Sequence, residues 1–139
     1  MSILLITPPF TQLNTPYPAT AYLKGFLNTK NITSFQADLG IEVILKLFSS
    51  EGLTHLFEYA SLNDTVSENS KRIYALRNSY IKYIDPVIHF LQGNNPTIAY
   101  QIAAGNFLPE ASRFEQYDDA AFGSMGIQDK ARYIATLFL

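Results

Sequence analysis

The chain opens on an unbroken apolar tetrad, Ile3-Leu4-Leu5-Ile6. That pattern suits a strand covered on both faces of a parallel sheet better than a half-exposed, alternating one. Pro8-Pro9 ends it, because two prolines remove backbone donors and hold Thr7 and Pro8 in extended geometry. After Pro16-Tyr17-Pro18 the period changes. Ala19, Tyr22, Leu23, Phe26 and Leu27 fall at the spacing of one helix face, which predicts an amphipathic helix packed on the sheet. Asn28 to Asn31 supply a turn, and Ser34-Phe35-Gln36-Ala37-Asp38 is expected as a second strand. The sum is a βαβ unit.

No comparable unit follows. Gly40 precedes Ile41 to Phe48, apolar nearly all round, which predicts a helix buried in a core or interface, and Gly52 is read as its punctuation. A short helical piece, Leu53 to Ala60, precedes a polar gap at Asn63-Asp64-Thr65. Ser67 then opens a longer helix with Ile73, Leu76, Tyr80, Ile81 and Ile84 on one stripe. Asp85-Pro86 interrupts the stripe as either a kink or a fresh N-terminus, since aspartate caps well and proline suits the first helical position. Gly93-Asn94-Asn95-Pro96 repeats the stop and restart, with a helix to about Gly105. Helices over Pro109 to Tyr117 and Ile127 to Leu139 flank a Gly123-Ser124-Met125-Gly126 loop. The expected class is α/β: an N-terminal βαβ unit, the start of a flavodoxin-like or Rossmann-like parallel sheet, followed by a mainly helical remainder. The expected division is residues 1–52 and 53–139, packed as one compact unit. The chain stops inside the apolar run Tyr133 to Leu139, which suggests a fragment of a longer chain.

Composition narrows the function classes. At 139 residues and 47% hydrophobic, the chain can bury a core. A formal net charge of −2, with both signs scattered, offers no basic stripe for nucleic acid and no polybasic segment for a membrane surface. Cysteine is absent, so this chain alone provides no disulfide, thiolate nucleophile or iron–sulfur ligand. The opening apolar run is too short for a signal peptide, and no later run approaches a membrane span, so a cytoplasmic location is expected. Asn31-Ile32-Thr33 and Asn63-Asp64-Thr65 match the glycosylation pattern and are read as chance matches.

Few residues carry a chemical signal. His55 and His89 lack carboxylates at metal-ligand spacing and are read as structural or surface residues. Asp118 and Asp119, with Glu110 and Glu115 nearby, read as a solvated loop. Tyr74, Tyr80, Tyr83 and Phe90 track the apolar stripe and read as core. No nucleophile elbow, Gly-x-Gly-x-x-Gly or Walker lysine occurs. The turn Thr7-Pro8-Pro9-Phe10 and Asp38 remain: both fall beyond the carboxyl ends of the strands, where ligands of open α/β sheets lie.

Those residues, together with Pro16-Tyr17-Pro18-Ala19, the helix segment Tyr22 to Leu27 and Gln36 to Gly40, make the first fifty or so positions resemble the N-terminal region of cobalamin-binding-domain radical SAM enzymes. The resemblance implies a flavodoxin-like cobalamin-binding domain ahead of a barrel that holds a [4Fe–4S] cluster and cleaves S-adenosylmethionine. On this chain it assigns Pro8 and Pro9 to the loop near the corrin edge and Asp38 to the strand end, as cofactor-binding positions. The cysteine triplet, a cobalt-ligating Asp-x-His-x-x-Gly and further strands are missing here. The implied parent therefore supplies its radical SAM domain as a C-terminal partner, and the segment by itself is not catalytic.

A reading from a different class is a small, mainly helical protein–protein interaction module without a cofactor. Either way, a two-stranded sheet has unpaired edges, so a homo-oligomer is expected, with no nucleic-acid or membrane partner.

Overall fold

The computed structural model describes residues 2–11, 17–60, 65–116 and 126–139. It divides into two compact units, Met1–Leu47 and Phe48–Leu139. The division falls before Gly52 because α3 (Ser50–Tyr59) begins earlier than the sequence suggests. Ser49 Oγ accepts the Gly52 N–H at 3.0 Å, and Asp85 Oδ1 accepts the Ser50 N–H at 2.9 Å, so the start of α3 is tied to the helical unit. Gly52 sits inside the first turn of that helix rather than at a break.

In the first unit, β1 (Ile3–Thr7) runs parallel to β2 (Ser34–Asp38), in register from Ile3 opposite Ser34 to Thr7 opposite Asp38. Helix α1 (Pro18–Thr29) connects them, and α2 (Leu39–Leu47) follows β2 directly. Pro18 occupies the start of α1, where its missing N–H costs nothing. Asn31 closes the helix in the left-handed region at φ 55°, while Asn31 N–H and Ile32 N–H donate back to the Asn28 and Leu27 carbonyls at 3.1 and 3.0 Å.

Burial in this unit departs from the apolar pattern in three places. Along β1 it alternates: Ile3 and Leu5 are half-buried, whereas Leu4 is 57% exposed and Ile6 is exposed too. Phe35, opposite Leu4, is also 57% exposed, so the large apolar side chains on that face of the sheet, Leu4, Ile6 and Phe35, are uncovered, while Ala37 beside Ile6 is half-buried. In α1, Tyr22, Leu23 and Phe26 are exposed, and the half-buried positions are Ala19, Thr20, Lys24 and Leu27. In α2 only Gly40 is buried, and Ile41, Val43, Leu45 and Leu47 are exposed. The physical cause is shared. Two strands and two short helices supply too few layers to cover both sheet faces and every apolar helix side.

The second unit is helical. Its elements are α3, α4 (Glu68–Ala75), α5 (Arg77–Leu91), α6 (Ala99–Ala103) and α7 (Ile127–Phe138), with 3₁₀ turns at Pro96–Ile98 and Ser112–Gln116. Ser67 caps α4 as its sequence suggests, its Oγ accepting the Ser70 N–H at 3.1 Å. The long helix then breaks at Leu76, not at Asp85-Pro86. Pro86 lies within α5, which is tolerated because the carbonyl it deprives belongs to Lys82, an exposed residue that water can serve. Asp85 caps α3 instead of starting a helix. Gly93, at φ 85°, stops α5, with Gly93 N–H and Asn94 N–H donating to the Phe90 and His89 carbonyls at 2.9 and 2.8 Å.

The core of this unit joins Leu53 of α3, Tyr80, Ile84, Val87 and Phe90 of α5, Ile102 of α6, and one face of α7. That face is Ala131, Ile134, Ala135 and Phe138, spaced as one side of a helix. The helix expected over Pro109 to Tyr117 is a 3₁₀ turn, Ser112–Gln116, while Tyr117, the residues 123–125 of the expected loop, and Asn63 and Asp64 of the polar gap lie outside the described residues. No helix among the described residues is long and apolar enough to cross a membrane.

Candidate functional site

Register alone brings the sequence-predicted positions together. Thr7 pairs with Asp38, so the Pro8-Pro9 turn and the strand-end aspartate share the carboxyl end of the parallel sheet. Pro8 and Pro9 are exposed and Asp38 is half-buried. Asp38 Oδ1 accepts the Ile41 N–H at 3.1 Å and thereby caps the first turn of α2, which is a structural task. Beside it, Thr11 Oγ1 donates to the Pro8 carbonyl at 3.0 Å, and Phe10 is exposed at φ 61°. Thr7 is the exception to this local satisfaction. It is 2% exposed, and its Oγ1 has no partner among the described residues, a condition it shares with Ser34 Oγ on the same sheet face.

The fit of the implied cofactors can be judged from the donor set. The chain holds no thiolate for an iron–sulfur cluster, and the described residues include no group of three His, Cys, Asp or Glu placed to hold a metal ion. The two strands lie about 5 Å apart, which is too narrow a floor for a corrin ring. The residues present therefore do not fit these groups by themselves.

The histidines behave as structural or surface residues. His55 Nδ1 lies 3.5 Å from Glu58 Oε2, both exposed on α3, and His89 is exposed in the last turn of α5. Asp118 and Asp119 lie outside the described residues. Of their neighbours, Glu115 pairs with Arg72 at 3.1 Å and Glu110 is exposed.

The aromatic stripe supplies two core residues, while Tyr74 and Tyr83 are half-buried at its margin. Tyr80 and Phe90 are buried; Tyr74 packs edge-on against Phe57 with centroids 6.0 Å apart, and Tyr83 meets Phe107 at 4.8 Å. Tyr80 stacks nearly parallel on Phe138 at 5.0 Å and 13°. It also lines a cavity of about 320 Å³ in the helical unit, partly open to solvent. Leu53, Phe57, Ile73 and Ile84 form apolar walls, and Asn69, Tyr80 and Arg113 add polar groups. Asn69 Oδ1 accepts the Ser112 N–H at 3.0 Å and so fixes the 3₁₀ turn that carries Arg113. Burial pushes the Tyr80 phenol above its ordinary pKa of 10.0, while the charges of Arg72 and Arg113 pull the other way.

Sequence reasoning finds Tyr80 as core and misses the cavity. Leu53, Asn69, Tyr80 and Arg113 belong to separate segments, and no spacing along the chain announces their convergence. Compared with known proteins, the chain matches no family model, no curated protein and no solved structure.

Proposed function

We propose that this chain is the N-terminal, cobalamin-binding-like segment of a radical SAM enzyme: the first strands of a larger parallel sheet, not catalytic by itself. The observation that carries the reading is the parallel pair β1–β2 with an uncovered apolar face, Leu4, Ile6 and Phe35. A sheet of this kind gains most by adding further strands and helices that bury that face. Pro8, Pro9 and Asp38 stand together at its carboxyl end, which agrees with their assignment to a ligand edge. In this reading the cobalamin floor is completed, and the [4Fe–4S] cluster and S-adenosylmethionine are held, by a C-terminal radical SAM domain. This chain contributes a scaffold edge.

The test is to sequence the coding frame past the Leu139 codon. A Cys-x-x-x-Cys-x-x-Cys motif followed by repeated strand–helix patterns is the expected result, and a stop codon overturns the proposal. Hydroxocobalamin added to the isolated chain should leave the corrin absorption spectrum unshifted.

A second reading, a mainly helical interaction module, is favoured by one observation: the unit Phe48–Leu139 buries a hydrophobic core composed entirely of its own residues. Self-association that persists on dilution, with no stabilisation by cofactor, would distinguish it.

A further inference from the structure

The cavity of the helical unit pairs mainly apolar walls with Arg113, a cation without a partner among the described residues. Three of the arginines are already engaged: Arg72 by the Glu115 carboxylate at 3.1 Å, Arg77 by the Tyr74 carbonyl at 3.1 Å and Arg132 by the Leu91 carbonyl at 3.4 Å. Arg113 has no ion-pair or hydrogen-bond partner among the described residues. It is exposed and lines the cavity, so its guanidinium stands at the solvent side of an apolar chamber.

Tyr80 lines the same cavity, and Arg113 is one of the two charges felt by its phenol. The Tyr80 hydroxyl has no hydrogen-bond partner among the described residues, and it is not one of the sealed, orphaned oxygens, which are Thr7 Oγ1 and Ser34 Oγ. The hydroxyl is therefore accessible and open to a partner, on a residue that lines the cavity. A neutral phenol donates one O–H and a guanidinium offers a fork of N–H groups, the set that a carboxylate accepts. The volume, about 320 Å³, lies at the lower end of the roughly 300–1,000 Å³ typical of small-molecule sites. Leu53, Phe57, Ile73 and Ile84 make most of the lining apolar; besides Tyr80 and Arg113 its polar residues are Asn69, whose Oδ1 is taken by the Ser112 N–H, and Ser112, a thin polar set for a sugar or a nucleobase.

We propose that this cavity binds one apolar monocarboxylate, a medium-chain fatty acid, with its carboxylate between Arg113 and the Tyr80 hydroxyl and its tail among the apolar walls. One guanidinium without a partner among the described residues matches a single negative charge. The site draws on no residue of the sheet unit, so it stands whether or not that unit belongs to a cobalamin enzyme.

Titration calorimetry on the full chain, with sodium decanoate and with decanol below their aggregation limits, tests the proposal. Saturable one-to-one binding of decanoate is expected, with decanol at least about tenfold weaker, since a hydrogen bond to a charged group is lost. Arg113→Ala, at an exposed position that leaves the core intact, should weaken decanoate at least about tenfold and leave decanol unchanged. Tyr80→Phe keeps the ring stack on Phe138 and should weaken decanoate by about two- to tenfold. Absence of saturable binding, equal affinity for decanol, or an Arg113→Ala variant that binds decanoate as well as the parent chain would each overturn it.

Discussion

Thr7 is the residue at which local chemistry and burial disagree most clearly. A hydroxyl sealed at 2% exposure without a partner among the described residues forfeits its hydrogen bonds to water and gains none from them in return. Thr7→Val keeps the shape and removes the orphaned oxygen. It should stabilise the first unit by about 1 kcal/mol, read by hydrogen exchange of the β1 and β2 amides. A loss of protection would show that the hydroxyl has a partner in solution. Tyr80 gives a prediction in pH. Its folded pKa lies above the unfolded value of 10.0, so the unfolded chain loses the phenolic proton first. The stabilisation is complete below pH 10 and disappears as pH rises through the folded value. Thermal unfolding followed from neutral to strongly alkaline pH should therefore show a steeper alkaline decline for the parent chain than for Tyr80→Phe. Identical slopes would mean that burial does not shift the phenol.

At the scale of elements, helix ends are governed by contacts of two kinds. Ser67 and Gly93 act through neighbours in sequence, so their roles were legible from the residues alone. Asp85 acts across the fold on the Ser50 N–H, which no local rule reveals. Its loss should be felt at α3, not in α5 where it resides. Asp85→Ala is expected to lower the stability of the helical unit by about 1–2 kcal/mol, with Asp85→Asn recovering part of it, as read from urea unfolding. If Asp85→Ala matched the parent, the cap would carry no net energy. The strands and the parallel pairing were likewise readable from the proline turn, the helix period and the strand-ending aspartate. Which side of each element is covered was not. Periodicity names an apolar face but not whether another layer exists to meet it.

For the molecule as a whole, the two units differ in completeness. The helical unit closes a core around Ile84, Val87, Phe90 and Ile102, all nearly inaccessible, whereas the described residues of the sheet unit include no large buried apolar side chain. Truncating the closed core should be costly: Ile84→Ala is expected to destabilise by about 2–5 kcal/mol, measured by urea denaturation. The uncovered sheet face and its unpaired strand edges make association the expected behaviour of the isolated chain. Light scattering at micromolar concentration should report a dimer or larger species. A Leu4→Thr/Ile6→Thr/Phe35→Thr variant should run as a monomer with an unchanged far-ultraviolet circular dichroism spectrum. A parent chain that is itself monomeric would count against both the exposed face and the open edges as association surfaces.

The sequence by itself determined what depends on near neighbours. It placed the strand Ser34–Asp38, the stop at Pro8-Pro9, the cap at Ser67, the turn at Gly93 and the mainly helical character of the described residues after Asp38, because prolines, caps and apolar periods act over a few residues. Tertiary structure alone decided that Leu4, Phe35 and the α1 residues Tyr22, Leu23 and Phe26 are exposed, that Pro86 lies within a helix and that Arg113 and Tyr80 line one cavity. Burial depends on how many layers surround an element, and convergence of distant side chains depends on how helices pack. Neither quantity is written in the spacing of residues along a chain.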